Sequence, residues 1–398
     1  MILKRGLNAI RGTMATAAPP SPMMPMPSTV EFSVVMRLPP CEAPDARSIA
    51  PAFALCRPAS YACATSRPPP ARREAAQEAN MASIVLGIGS SHGPSIQTDP
   101  VGWPRLGDAD TRDPRFDYQS LLANAPSDIE AQLTPEKQRE RYEAAHAAIG
   151  KLRSALDEAK PDVLVVISNP HRVWADETRA VFAVMRAESL PVAERQGFDP
   201  DARFRTNEER RAPVINDRPG QPQLAEHLIT ALNDDGFDVG CGDGVRDGHA
   251  LDDAFAYAHH YVMPDETLPV VPFMVSRYLP YQASAARCYA MGGALRRAIE
   301  SWDADARVAL MASGGLSHQI IDEELDRGVI AALQSGNAEV LGALERDRLN
   351  GAPGTPEILN WVAVAGAMSP GTMTLLDYLP CYRSMAGTGH GLTFGVWG

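Results

Sequence analysis

Three histidines share one local context in this sequence, and imidazole is a common metal ligand. His92, His171 and His318 each follow an unbroken apolar run that ends in small or turn residues: SIVLGIGSSH, DVLVVISNPH and RVALMASGGLSH. Continuous apolar runs of strand length are typical of strands buried on both faces, as in a parallel sheet. Ligands bind beyond the carboxyl ends of such strands. The three imidazoles are therefore predicted to converge on one crevice, which outlines a metal site.

A carboxylate would complete such a site, and Glu357 is the candidate. Thr355 and Pro356 precede it and are predicted to be the N-cap and first residue of the helix EILNWVAVAGAM. The positive end of a helix favours an ionised acid in the first turn, so helix capping alone explains this residue equally well. Two imidazoles and one carboxylate, with open positions opposite, are the donor set of non-haem Fe(II) oxygenases.

Strand and helix patterns alternate from Met81 onward, which predicts an α/β fold with a mostly parallel central sheet flanked by helices. Thr134 and Pro135 predict the start of a long helix that ends before Pro161. The further expected elements are strands at 181–185 and 268–275, helices at 223–234, 285–301, 322–333 and 338–346, and a closing edge strand within 382–397. We expect residues 81–398 to form a single catalytic domain.

Residues 1–80 differ from the rest of the chain. They hold 13 of the 34 prolines and none of the 9 histidines, a composition that predicts disorder. Lys4, Arg5 and Arg11, with no acid in the first thirty residues, are compatible with a transit peptide. The interpretation we prefer is an over-extended gene start, because Met81 directly precedes the first strand.

Composition restricts the class of partner. The formal net charge of -12 argues against nucleic acid and anionic membranes, since phosphate binding needs a basic surface. No apolar run reaches membrane-spanning length. The six cysteines show no CxxC or paired spacing, which indicates reduced thiols and a cytoplasmic protein. A small molecule is the expected substrate.

Four motifs in sequence order resemble one known family. IGSSHGP, SNPH, SGGLSHQ and TPEILNW are similar to motifs of the class III extradiol ring-cleavage dioxygenases, of the protocatechuate 4,5-dioxygenase catalytic-subunit type with gallate and 3-O-methylgallate dioxygenase relatives. The resemblance covers residues 82–398 and is strongest over 287–319. It implies that His92, His171 and Glu357 bind Fe(II), and that His318 is the catalytic acid and base rather than a ligand.

The chain departs from the family pattern at one loop. Members carry an Asp-His-Gly or Asp-His-Ala element before the LPVVP strand, and the resemblance places Asp253 where they have the histidine. Asp253 is therefore expected to face the substrate, although His249 or His259 could take over that role. The small companion subunit found in part of the family is not visible in this sequence. A second copy of the chain or a separate small subunit is expected to complete the assembly.

The resemblance implies oxidative ring opening, with O2, of a catechol that carries a carboxylate, such as protocatechuate or gallate. The partner of that carboxylate is expected to be an arginine or a backbone nest, and Arg172, Arg277 and Arg383 are equal candidates for the arginine. Two alternatives come from other classes. A metallohydrolase using metal-bound water would need a second carboxylate, for which Asp252 and Asp253 are candidates. A non-catalytic interaction protein could keep the same fold without iron.

Overall fold

The computed structural model describes residues 81–171, 180–195, 214–246, 249–264 and 268–398. They fall within one compact unit, Glu74–Gly398. Residues 1–80, for which the sequence predicts disorder, lie outside the described residues, and so does Arg172. The domain boundary at Met81 stays a prediction.

The strands and helices occur in the order that the alternating pattern predicts. The strands are β1 (Ser83–Ser90), β2 (Val163–Ser168), β3 (Phe182–Met185), β4 (Ser189–Ala193), β5 (Ile215–Pro219), β6 (Val239–Gly242), β7 (Val270–Val275), β8 (Arg307–Ser313), β9 (His318–Ile320), β10 (Thr374–Tyr382) and β11 (Thr388–Trp397). The helices are α1 (Pro94–Gln97), α2 (Trp103–Asp110), α3 (Tyr118–Ala123), α4 (Ile129–Gln132), α5 (Pro135–Ala159), α6 (Pro222–Asp234), α7 (Asp253–Tyr257), α8 (Ala285–Glu300), α9 (Glu323–Ser335), α10 (Ala338–Gly342), α11 (Arg346–Leu349) and α12 (Ile358–Met368). Short 3-10 turns lie at Pro100–Gly102 and Thr355–Glu357, and a π-helical turn at Ala258–Val262.

A nine-stranded sheet organises the molecule, in the order β10-β11-β1-β8-β2-β7-β3-β6 with β9 beside β11. The four central strands β1, β8, β2 and β7 run parallel. The strands that flank them, β11 and β3, run antiparallel to their central neighbours. The α/β prediction is confirmed, with a parallel centre inside a mixed sheet. Strands β4 and β5 form a separate two-stranded sheet.

Both faces of the central strands are buried, as their continuous apolar runs predict. In β2, Val163, Val165 and Ile167 pack into the hydrophobic core on one face. Leu164 and Val166 pack into the core on the other face. Helices α8 and α12 belong to the first core and α5 to the second. The sheet is therefore a rigid central layer, and its carboxyl edge is a stable base for a site.

Two details of the sequence prediction are wrong. The apolar tail is not an edge strand, because β11 lies between β1 and β10, and β10 forms the edge. The helix expected at 338–346 is divided into α10 and α11. By contrast, the Thr134 cap is confirmed, since its hydroxyl accepts a hydrogen bond from Lys137 N at 3.2 Å.

Helices α8 and α12 approach each other through glycines. A Cβ atom at Gly292 would overlap the main-chain oxygen of Ala363, and one at Gly366 would overlap that of Tyr289. The two backbones are thus in direct contact, which fixes the position of α12 and of Glu357 at its start.

Within the part of the chain that the structure describes, no helix combines the length and the apolar character needed to cross a membrane.

Replacing Gly292 with Ala is expected to lower the free energy of unfolding by about 1–3 kcal/mol, the usual cost of overpacking. The new methyl group has to push α12 away from α8. Gly293 is the matched control, because a Cβ there meets only the Arg297 guanidinium, at 3.6 Å. Gly293→Ala is expected to stabilise the helix by up to about 1 kcal/mol. Urea unfolding of both variants measures the difference, and equal effects would contradict the packing argument.

Candidate functional site

The three predicted histidines come from three neighbouring strands. His92 follows β1, His171 follows β2, and His318 opens β9 after the short loop that leaves β8. Because β1, β8 and β2 are adjacent and parallel, all three loops leave the same edge of the sheet. The ring centroids of His171 and His318 lie 6.1 and 6.4 Å from that of His92. The structure therefore brings the three imidazoles together.

Glu357 lies at the centre of these imidazoles, with 1% of its surface exposed. Its Oε2 is 3.6 Å from His92 Nε2 and 3.0 Å from His318 Nε2, and its Oε1 is 3.5 Å from His171 Nε2. Among the described residues, His92, His171 and Glu357 form the group whose possible donor atoms all lie within 4.8 Å of one another. His318 borders that group.

The turn that places Glu357 differs in detail from the prediction. Thr355 belongs to a 3-10 turn capped by Gly354, and its side chain does not cap the helix. The Thr355 hydroxyl instead accepts a hydrogen bond from the main-chain nitrogen of His318, at 3.3 Å. The carboxylate itself accepts a hydrogen bond from Gly315 N at 3.3 Å. The two motifs are thus tied to each other.

The charge state of Glu357 is set by its neighbours. Burial alone would raise the pKa of this carboxyl, but the electrostatic effect of His318 and His92, together with the side-chain contacts of His171 and His318, outweighs burial and holds the pKa well below its usual range. Burial lowers the pKa of His92 to about 4, against the attraction of Glu357. At neutral pH an ionised carboxylate therefore faces a neutral His92 imidazole, the forms in which both groups bind metal.

Glycines make room for this arrangement. Gly314 has a φ of 137°, a conformation that favours glycine, and a Cβ there would lie 2.7 Å from Glu357 Oε2. A Cβ at Gly354 would overlap the His318 ring. The small residues of SGGLSH and PGTPE thus let the carboxylate and the imidazole approach.

Hydrogen bonding at Nδ1 fixes the tautomer of His92. Its Nδ1 lies 3.0 Å from Ser313 Oγ, and the Ser313 hydroxyl donates its hydrogen bond to Ala254 O at 2.6 Å. Ser313 Oγ can therefore only accept from His92, so the imidazole proton is on Nδ1. The Nε2 lone pair is left pointing toward Glu357, as a metal ligand requires.

His318 is also oriented through Nδ1. This atom lies 3.3 Å from Leu316 O, and a carbonyl oxygen only accepts, so Nδ1 carries a proton. Proton exchange is left to Nε2, the atom that faces Glu357. Gln319 follows with a φ of 68°, which is unfavourable for a residue with a side chain and is typical of functional sites.

A buried carboxyl clamps the residue before His318. Asp326 accepts hydrogen bonds from Ser317 N at 2.7 Å and Ser317 Oγ at 2.6 Å, and from the Tyr378 hydroxyl at 2.8 Å. Burial raises the pKa of Asp326 to about 6 despite these bonds. The loop that carries His318 is therefore held in place through Ser317.

His171 has an unused ring nitrogen. Its Nε2 is buried and makes no hydrogen bond to any described residue. Its main-chain nitrogen donates to Asp252 Oδ2 at 2.6 Å. A buried polar atom without a partner is costly, and a metal ion at the centre of the cluster would supply one. The donor set and this orphaned nitrogen fit a divalent metal.

The three loop residues that could face the substrate differ in burial, and the expectation that Asp253 faces it stays a prediction. Asp253 is exposed at the start of α7, and its charge acts on His260 and Tyr261. His249 is exposed, whereas His259 is buried, with its pKa lowered to about 4 by burial. The described geometry brings none of the three into the metal-donor group.

The arginine candidates have different partners. Arg383 Nε and Nη2 bind the Asp110 carboxylate at 2.7 and 2.9 Å. Arg277, just beyond β7, places Nη1 3.5 Å from Glu357 Oε1. Arg277 therefore borders the site.

Sequence reasoning missed Ser313, Asp326 and His390. Ser313 and Asp326 are common residue types in a strand end and a helix, and nothing local distinguishes them. His390, 2% exposed, lies with its ring centroid 5.2 Å from that of His318. Its one signal was a histidine inside a glycine-rich apolar strand, TGHGLTFGVW.

Ser313→Ala is expected to weaken divalent metal binding about tenfold to a hundredfold, because His92 loses the partner that fixes its tautomer. Competition with a chromophoric chelator measures the dissociation constant. Ser276→Ala is the matched control: Ser276 is buried at the end of β7, and its hydroxyl has no hydrogen-bond partner among the described residues. An equal loss in both variants would show that packing, not the tautomer, matters.

Comparisons with known proteins identify a family for this chain. Residues 121–391 match the family described as the catalytic LigB subunit of aromatic ring-opening dioxygenase. A gallate dioxygenase of Pseudomonas putida (strain KT2440) is 33% identical over 162 residues, which cover 38% of this chain and 46% of that protein. The matched region thus spans about half the length of that curated relative.

Among solved structures, an uncharacterized protein from Escherichia coli K12 aligns with a TM-score of 0.40 and 14% identity, over 78% of this chain and 99% of the other. At that TM-score the likeness adds nothing to the fold described above. The family match covers more than half of the sequence, including His171, His318 and Glu357. This chain belongs to the family of catalytic LigB subunits of aromatic ring-opening dioxygenases.

Proposed function

We propose that this protein is an Fe(II)-dependent extradiol dioxygenase that opens the ring of a carboxylated catechol with O2. The observation that carries the proposal is the group His92, His171 and Glu357, in which His92 and Glu357 are buried and which is bordered by an imidazole that is not part of it. The family membership and the partial match to a gallate dioxygenase support the same reaction class.

Iron would be held by His92 Nε2, His171 Nε2 and the Glu357 carboxylate. A two-histidine, one-carboxylate set leaves open positions, at which Fe(II) would bring the catechol oxygens and O2 together and supply the redox chemistry. Neighbouring residues hold the two histidine ligands in position. Ser313 fixes the His92 ring and Asp252 holds the main chain of His171.

His318 is proposed to move the proton. A catechol has to lose at least one phenolic proton to bind a metal through both oxygens, and an imidazole titrates close enough to neutral pH to accept it. The Leu316 carbonyl keeps a proton on Nδ1, so Nε2 accepts the phenolic proton and later returns it to the opened product. The Asp326 clamp on Ser317 holds that nitrogen in place.

Arg277 is proposed to bind the substrate carboxylate. It is 13% exposed at the side chain, and its Nε is buried without a hydrogen-bond partner among the described residues. Nη2 donates to the Tyr278 hydroxyl at 3.1 Å and Nη1 to Pro353 O at 3.2 Å. The guanidinium is thus held beside the site with an unused donor, which suits a charged oxygen.

The predicted homo-oligomer and the small companion subunit stay predictions. The metallohydrolase alternative needs a second carboxylate, and neither Asp252 nor Asp253 belongs to the metal-donor group among the described residues.

Separate substitutions are expected to distinguish ligands from the proton carrier. Ala at His92, His171 or Glu357 removes one of three proposed protein donors, so Fe(II) binding should fall sharply. His318→Gln should keep stoichiometric iron and turn over about 10²–10⁴-fold more slowly, the usual contribution of proton transfer. Iron analysis and oxygen uptake on protocatechuate and gallate measure both effects.

His227→Gln is the control for these variants. His227 Nε2 lies 2.8 Å from Ala298 O, away from the site, and its loss should change neither iron nor turnover. Should His318→Gln arrive without iron while Glu357→Ala retains it, a three-histidine site would replace the proposed ligand set. A wild-type protein that binds metal but consumes no O2 would contradict the dioxygenase proposal.

Arg277→Met is expected to remove the preference for carboxylated substrates. Hydrogen bonds to charged groups contribute about 1.5–3 kcal/mol, so the ratio of protocatechuate to catechol affinity should fall about tenfold or more. Anaerobic titration of iron-loaded protein measures both dissociation constants, and catechol is the internal control for any effect on iron. Arg287→Met, on α8 over Phe237, should keep the ratio. An unchanged ratio in Arg277→Met would assign carboxylate recognition to another group.

A further inference from the structure

His390 is a fourth imidazole beside the site, and its position is fixed by the sheet. It lies on β11 directly opposite His318 on β9. The two ring centroids are 5.2 Å apart, and His390 is 2% exposed. The mechanism described above gives this residue no role.

The proton of the His390 ring is placed by the groups that face Nδ1. Arg383 Nη1 lies 3.2 Å away and Ser95 Oγ lies 3.3 Å away. A guanidinium only donates hydrogen bonds, so Nδ1 has to accept and carries no proton. In the neutral ring the proton is therefore on Nε2.

A buried network holds this arrangement. The Asp110 carboxylate binds Arg383 through both oxygens, at 2.7 and 2.9 Å, and accepts from the Thr388 hydroxyl at 2.6 Å. Asp110, Arg383 and Thr388 are all buried. Burial of an ion pair costs desolvation free energy, and the pair gives little net stability in return. Here the ion pair directs one N–H of Arg383 at His390 Nδ1, so the network orients the His390 ring.

The Nε2 edge of His390 faces the site. A Cβ at Gly93, the residue after His92, would lie 2.7 Å from His390 Cδ2 and 3.1 Å from Nε2. None of the described residues accepts a hydrogen bond from Nε2. The charges of His318, Glu357 and His92 all act on this ring. Its N–H thus borders the same space as His92 and His318, with its donor unused.

The surroundings of His390 also keep its ring neutral. Burial, followed by the charges of Arg383 and His318, holds the pKa of His390 well below its usual range. The ring is therefore neutral at neutral pH and keeps its single N–H.

We propose that His390 is a substrate-binding residue whose fixed Nε2–H donates a hydrogen bond to an anionic phenolate oxygen of the bound catechol. The inference rests on the proposed function, and it assigns different tasks to two neighbouring imidazoles. His318 takes up the proton, and His390 binds the oxygen that has lost one.

Two amide substitutions test the donor. The amide nitrogen of Gln can occupy the place of a histidine Nε2, whereas the shorter Asn reaches only the place of Nδ1. Both variants remove the ring and keep a polar side chain, so they are matched in packing and polarity. The probe is 4-nitrocatechol, whose absorption reports its ionisation. It is titrated anaerobically into iron-loaded wild type, His390→Gln, His390→Asn and the control His227→Gln.

The expected result is a dissociation constant about tenfold to a hundredfold higher for His390→Asn, the range for a hydrogen bond to a charged group. Iron content should be unchanged. The dissociation constant of His390→Gln should lie within a few-fold of the wild-type value. His390→Gln and His390→Asn should unfold at similar temperatures. His390→Leu, which has no donor, should behave as His390→Asn and carries the test should the Asn variant fail to fold.

Equal affinity of wild type, His390→Asn and His390→Leu would overturn the inference, and so would equal losses in His390→Gln and His390→Asn. Failure of the proposed function would look different. In that case the wild-type protein itself would not bind 4-nitrocatechol, or would consume no O2 with any catechol.

Discussion

A buried carboxylate is the constraint on which the rest of this site depends. Glu357 is 1% exposed, and an isolated ionised acid in such a place costs several kcal/mol. The Gly315 N–H and the Arg277 guanidinium offset part of this cost, and the imidazoles of His92, His171 and His318 surround the carboxylate. These groups come from four loops at one edge of the sheet, with Gly315 and His318 on the same loop. The glycines of SGGLSH follow from the same requirement, because side chains there would occupy the space between the carboxylate and its partners.

The chemical role of each imidazole depends on the hydrogen bond that its Nδ1 atom makes. Ser313 accepts a hydrogen bond from His92 Nδ1–H and leaves Nε2 free to bind metal. Leu316 O accepts from His318 Nδ1, so proton exchange is confined to Nε2. Arg383 donates to His390 Nδ1 and leaves the proton on Nε2. One side-chain type thus supplies a metal ligand, a base and a fixed donor through different partners.

The sequence predicted the features that depend on local pattern. Apolar runs identified β1, β2 and β8, and each run is followed by a histidine because active-site residues follow the carboxyl ends of parallel strands. The features it missed depend on contacts between distant segments. Arg383 and Asp110 are 273 residues apart, so the sequence alone could not separate Arg383 from Arg277. The sequence predicted Thr355 as a helix cap, but its hydroxyl accepts a hydrogen bond from the main-chain nitrogen of His318, 37 residues away. The glycines of β11 led to the prediction of an edge strand, whereas β11 lies inside the sheet and carries His390.

The position of β11 has a consequence for how the protein is made. Thr393 N donates to Ser91 Oγ at 2.8 Å, a bond between residues 302 positions apart. Strand β1 is synthesised early, but its two neighbours in the sheet, β8 and β11, are both synthesised late. Contacts of such long range form slowly, and an unpaired apolar strand is prone to pair with other chains. A ribosome-bound intermediate therefore exposes the edges of β1 for most of synthesis, and a chaperone that shields this strand would raise the yield of folded protein.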